Sequence, residues 1–200
     1  MHHDSDEALV LRYRRGDVAA FDALVDRHGP SVYRFLARYL HDHGRAEDLA
    51  QECWMRFIGA APRWTERAPF RIWLFTVARN LAADEARRMT HGRHTSLDAE
   101  AGRGTVRTVA AGGRSPEDAA LDHALQSALR VAIAALPPEQ REVFLLREYE
   151  GVAFAEIAEI TGAPVPTVKS RMRYALEALR RRLGELGMLD ASRAAEVAKP

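Results

Sequence analysis

The sequence predicts an all-α protein with two helical domains joined by a flexible linker. Three observations carry this. Every periodic stretch repeats its apolar residues at three- and four-residue steps, the period of a helix packed on one face. No stretch alternates apolar and polar residues long enough to argue for a strand. Residues 96–115 carry Gly102, Gly104, Gly112 and Gly113, no aromatic residue and no sustained period, the composition of a flexible connector. The expected organisation is a domain over residues 1–95, the linker over 96–115, a second domain over 116–186 and a tail over 187–200.

In the first domain the helical period appears over residues 17–27 (Phe21, Leu24, Val25), 31–40, 44–59 and 70–88. The 44–59 segment divides into two faces. Leu49, Cys53, Trp54 and Phe57 point inward, while Asp48, Gln51, Glu52 and Met55 share an outward face whose carboxylates, amide and thioether suit a protein partner offering Arg and apolar contacts. The 70–88 segment turns Phe70, Trp73, Leu74, Val77 and Leu81 to the core. Trp64 and Phe75 are expected on its outer side with Arg71, Thr76, Arg79 and Asn80. Aromatic platforms beside cations can hold unstacked bases, at ~1–3 kcal/mol per stacked base.

The second domain opens with Ser115 as helix cap and Pro116 at the first helical position. Leu136-Pro137-Pro138-Glu139 closes that helix and starts another through Val143, Phe144 and Leu146. Residues 152–183 then read as helix, tight turn and basic helix. Gly162 suits the left-handed position that ends a helix, and Pro166 suits the first turn of the next. Val168, Met172, Ala175, Leu179 and Leu183 form the inward stripe, with Thr167, Ser170, Arg171 and Tyr174 opposite, flanked by Lys169 and Arg173. An amphipathic helix that is cationic on one side, with short hydrogen-bonding groups, fits the DNA major groove. Ala153 stands where a capping Ser or Thr is expected.

The bulk numbers bound the function. Net charge is +1, so nucleic-acid affinity must come from local patches. Residues 63–93 hold seven Arg against Glu66, Asp84 and Glu85, whereas residues 1–62 hold ten acidic groups against eight Arg. Cys53 is the only cysteine, which excludes an internal disulfide and agrees with a reducing cytoplasm. No apolar run approaches the ~20 residues of a membrane span, and the polar, acidic start Met1-His2-His3-Asp4-Ser5-Asp6 is no signal peptide.

Four segments carry a resemblance. They are Ala46-Glu47-Asp48-Leu49-Ala50-Gln51-Glu52, then Phe70-Arg71-Ile72-Trp73-Leu74-Phe75-Thr76-Val77-Ala78-Arg79-Asn80-Leu81, then Leu136-Pro137-Pro138-Glu139-Gln140-Arg141-Glu142-Val143-Phe144, and Thr167-Val168-Lys169-Ser170-Arg171. In this order and spacing the chain resembles the bacterial RNA polymerase sigma factors of the extracytoplasmic-function (ECF) group, over roughly residues 17–89 and 117–183. The resemblance implies that residues 1–95 are sigma domain two and residues 116–186 sigma domain four. It implies that Asp48, Gln51, Glu52 and Met55 dock on the clamp helices of core RNA polymerase. It further implies that Arg63, Trp64, Arg67, Arg71, Phe75, Thr76, Arg79, Asn80, Arg87 and Arg88 open and hold promoter DNA near its −10 element. Thr167, Lys169, Ser170, Arg171, Arg173 and Tyr174 are implied to read the −35 element. An anti-sigma factor is the implied regulator. Pro166, where Gly is common in the family, and Ala153 are departures at helix starts.

Two other function classes bear on the same residues. A conventional helix-turn-helix regulator would need a sensing pocket or dimer helix in the first domain, and neither is legible. An enzyme or metal protein would have to use His41-Asp42-His43, His91 and His94, or Cys53. Alternating positions on one turn rarely converge on a metal, and Cys53 has no companion. The expectation is therefore no catalytic residue, no metal and no cofactor.

Overall fold

The computed structural model describes residues 4–65, 68–95 and 116–185. Among these there is helix and no strand. The linker, the Ser115 cap, Arg67 and the 187–200 tail lie outside the described residues.

The first domain consists of α1 (Asp6–Arg14), α2 (Val18–Leu40), α3 (His43–Ala60), a 3-10 turn (Ala61–Arg63) and α4 (Phe70–Thr95). Helix α1 has a clear local cause that the periodicity reading passed over. Ser5 Oγ accepts from the Ala8 N–H at 3.2 Å, Asp6 and Glu7 occupy the first turn, and Leu9 and Val10 are buried. The segments read as 17–27 and 31–40 are one helix, α2, running through Pro30. Proline removes one helical hydrogen bond, but Leu24, His28, Val32, Phe35, Leu36 and Tyr39 bury a single continuous face across it. His41, left-handed at φ 58°, ends α2, and the Asp42 carboxylate caps α3 by accepting from the Arg45 N–H at 3.0 Å. The core lies between α2, α3 and α4, where Phe57 meets Phe70 edge-on at 5.0 Å and Phe35 meets Phe75 at 5.9 Å.

The second domain has α5 (Pro116–Ala134), α6 (Pro138–Phe144), a π turn (Leu145–Tyr149), α7 (Phe154–Thr161) and α8 (Val165–Glu185). The expected turn between the last two helices is present, with Gly162 at φ 66°. Without a side-chain acceptor at Ala153, α7 starts on the reverse half of a capping box. The Glu156 carboxylate accepts the Ala153 N–H at 2.9 Å. Val168, Met172, Ala175 and Leu179 are buried as the stripe required.

The two domains are in contact. Helix α7 packs along α4, and the π turn packs on α2. The wider turn ends α6 so that Tyr149 and Glu150 meet α2. The Arg38 guanidinium lies 4.1 Å over the Tyr149 ring, and Glu150 is buried 3.9 Å from Arg34.

Candidate functional site

Three groups of side chains matter, and the structure treats each differently. On α3, Asp48, Gln51, Glu52 and Met55 are all exposed, Met55 by 63%. Glu52 pairs with Arg56 one turn on, at 2.9 Å. Behind this face Cys53 and Phe57 are fully buried, and Leu49 and Trp54 partly so, which fixes the rotation of the helix. Burial pushes the Cys53 thiol up to about 12, so it is an inert core group.

On α4 and the turn before it, the expectation of two outward aromatics is overturned. Phe75 is fully buried against Phe35, and Trp64 is 8% exposed between Phe70 and Trp73, at ring distances of 5.8 and 5.4 Å. The reason is that α4 has covered surface on more than one side. One packs on α2 and α3, another meets α7, so apolar residues all round the helix find partners. The flanking polar residues divide. Arg63, Asn80, Arg87 and Arg88 are exposed, Arg87 pairing with Asp84 and Arg88 with Glu85 at 3.6 Å. Arg71, Thr76 and Arg79 are half-buried. Arg71 donates to the Glu150 carbonyl, and the Thr76 hydroxyl donates to the Ile72 carbonyl at 2.8 Å. Arg79 grips Glu142 with both arms of its guanidinium, at 2.7 and 3.2 Å.

On α8, Thr167, Lys169, Ser170, Arg173 and Tyr174 are exposed along the helix, and the Arg173 guanidinium lies 4.8 Å over the Tyr174 ring. Arg171 departs from the expected outward face. It sits one turn from buried Val168 and next to Met172, and its guanidinium lies 3.6 Å from the Glu142 carboxylate. Glu142 is 1% exposed and so joins Arg79 of the first domain to Arg171 of the second. Periodicity gave no sign of this role, because its partners Arg79 and Arg171 come from other helices. The same holds for Glu150. Its burial pushes the carboxyl pKa up, against the pull of a Ser31 hydrogen bond and of Arg34, Arg38 and Arg71.

The histidines weighed as ligands have other work. His43 Nδ1 lies 2.9 Å from the Tyr33 hydroxyl, and Asp42 is the α3 cap. His41 is exposed and ends α2 in a left-handed conformation. Among the described residues no three His, Cys, Asp or Glu side chains gather to hold a metal. The side chains of His91 and His94 lie outside the described set. No helix among the described residues is long and apolar enough to cross a membrane.

Fold and faces together define a two-domain helical protein whose second domain ends in a helix-turn-helix. Residues 24–91 match the family described as Sigma-70 region 2, and residues 126–179 match Sigma-70, region 4. The chain is 32% identical over 189 residues to RNA polymerase sigma-H factor of Pseudomonas aeruginosa, covering 92% of this chain and 96% of that one. It is 32% identical over 181 residues to ECF RNA polymerase sigma factor SigW of Bacillus subtilis, covering 88% and 96%. Among solved structures it resembles sigma factor RpoE of Bartonella quintana in complex with the anti-sigma factor NepR. There the TM-score is 0.66 at 22% identity, covering 82% of this chain and 96% of that one, which is a likeness of fold. The chain belongs to the sigma-70 family of RNA polymerase sigma factors, in its ECF group. It is an RNA polymerase-binding factor that directs transcription initiation, and its family is non-enzymatic. The helix-turn-helix regulator with a sensing domain is not favoured.

Proposed function

We propose that the two jobs of this sigma factor fall on separate faces. The α3 face of Asp48, Gln51, Glu52 and Met55 docks on core polymerase. The α4 side with Arg63, Arg71, Thr76, Arg79, Asn80, Arg87 and Arg88 holds melted promoter DNA near the −10 element, a role that the sequence also gives to Arg67. The α8 side with Thr167, Lys169, Ser170, Arg171, Arg173 and Tyr174 reads the −35 element. Trp64 and Phe75 support the α4 side from within, as packing that sets its orientation. The chain works in the cytoplasm under an anti-sigma factor that covers the same faces.

The observation that carries this reading is the exposed acidic and thioether face on α3, backed by a fully packed opposite side. A rigid helix presenting carboxylates around one exposed apolar side chain suits a partner surface rich in Arg. The exposed row of cations and hydroxyls on α8 suits phosphates and base edges in the same way.

Separation of function tests it. Asp48→Arg should weaken core polymerase binding about tenfold or more, equivalent to ~1.4 kcal/mol, and leave the helical circular-dichroism signal unchanged. Lys169→Ala should leave core binding intact and lower run-off transcription from promoters that depend on their upstream element. Unchanged core affinity in Asp48→Arg removes α3 as the docking face, and loss of core binding in Lys169→Ala removes the division itself.

A further inference from the structure

Helix α1 belongs to none of the faces assigned above, yet it reaches both the 3-10 turn and the start of α4. Arg14 Nη1 donates to the Trp64 carbonyl at 3.1 Å. The Phe70 N–H donates to Glu7 Oε1, also at 3.1 Å. Glu7 and Arg14 stand about two helical turns apart, so one face of α1 carries both contacts. The helix is itself well seated. Leu9 and Val10 are buried, and the Tyr13 ring packs on Phe21 and Phe57 at 5.2 and 5.7 Å. Asp6 lies 2.7 Å from His28 Nε2, and the His28 ring meets Phe70 edge-on at 5.6 Å.

Both anchored groups need an outside partner. The Phe70 N–H belongs to the first turn of α4, where no carbonyl of the same helix can accept it. Pro69, the residue before it, has no side-chain acceptor, so a carboxylate of α1 supplies the cap and meets the positive end of α4. Trp64 is buried with its indole Nε1 lacking a hydrogen bond among the described residues. Its place is set by packing on Phe70 and Trp73 and by the Arg14 bond to its carbonyl. The exposed Arg63 is next to Trp64, and Arg71 directly follows Phe70.

We propose that Glu7 and Arg14 are positioning residues for the −10 contact, acting through Arg63 and the first turn of α4. The inference rests on the assignment of Arg63 and the α4 side to melted promoter DNA. Contacts to phosphate and base edges depend on where their donors stand, and α1 fixes that place from both sides. Glu7 gives the proposal a distinctive sign. By charge alone, removing a carboxylate near DNA strengthens binding. Removing a brace weakens recognition.

The test has two readouts. The first is amide hydrogen exchange at Phe70 in the free, full chain. Glu7→Ala should speed it, whereas Glu7→Gln, whose amide oxygen still accepts the N–H, should keep the wild-type rate. Equal rates in all three proteins overturn the proposal. The second is transcription by core bacterial RNA polymerase carrying this chain, on a promoter recovered from a genomic library. The same promoter substituted at one base of its −10 element is run beside it. The ratio of the two transcripts is read, because a loss of stability or of core affinity lowers both alike. Glu7→Ala and Arg14→Ala should each lower the ratio about fivefold, the lower end of what one good base contact contributes. Glu7→Gln and Arg14→Lys should stay close to wild type. Arg12→Ala, on the same helix but paired with Asp4 and Asp17, should change nothing. An unchanged or raised ratio in Glu7→Ala overturns the proposal, as does an equal loss in Arg12→Ala. Arg63→Ala and Asn80→Ala report the −10 assignment alone. If both keep the full ratio, that assignment fails and the proposal with it. If they lower the ratio and Glu7→Ala does not, the assignment stands and only the brace fails.

Discussion

Asp6 shows how much one side chain outside any recognised motif can hold. It opens α1 and ties it to α2, with Oδ1 accepting from Arg27 at 2.5 Å and Oδ2 lying 2.7 Å from His28 Nε2. Burial pushes its pKa up. The hydrogen bond and charge of His28, and then of Arg27, outweigh burial and hold it below 3.8. A carboxylate pKa lowered by folding contributes stability that is fully present above the unfolded value and is lost as pH falls through the folded one. Asp6→Asn should therefore cost about 1 kcal/mol at neutral pH, measured by urea unfolding. That deficit should shrink as pH drops below 3.8, and a deficit independent of pH would contradict the pairing. At this scale the sequence reading was uneven. It placed Asp48, Gln51, Glu52 and Met55 outward, as found, because α3 has one buried side. It misplaced Trp64, Phe75 and Arg171, whose partners come from residues distant in the chain.

At the scale of elements, what was legible is what one helix and its caps decide. The turn between α7 and α8, the buried stripe of α8 and the two faces of α3 follow from spacing and from Gly162. What was not legible depends on a second element. The period of α4 could not show that it is covered by α7 as well as by α2 and α3, nor that α2 continues through Pro30. The π turn at Leu145–Tyr149 leaves no mark in the hydrophobic pattern. Two glycines give opposite expectations. Gly162 has φ 66° and open space around its missing Cβ, so Gly162→Ala meets only backbone strain and should cost about 1 kcal/mol. Gly59 lies inside α3 with equally open space, so Gly59→Ala should stabilise by ~0.5–1 kcal/mol. Thermal unfolding of the two variants checks the signs. A destabilising Gly59→Ala, or a neutral Gly162→Ala, would contradict this reading of the two positions.

At the scale of the molecule, the two halves depend on each other through charge. Arg79 of the first domain is held by Glu142 of the second and Glu150 of the second lies near Arg34 of the first, while the whole chain carries only +1, so attraction to DNA must come from local basic patches. Raised ionic strength should weaken DNA binding, since contacts to phosphate are screened. The family places the chain as an RNA polymerase-binding sigma factor. The most direct measurement is transcription by core bacterial RNA polymerase reconstituted with this chain, read across a genomic promoter library. The predicted result is a narrow set of transcripts whose promoters share two short elements at fixed spacing, with little binding of the free chain to the same duplexes. Failure to bind core polymerase, together with tight, sequence-specific binding of the free chain to a palindromic duplex, would contradict it.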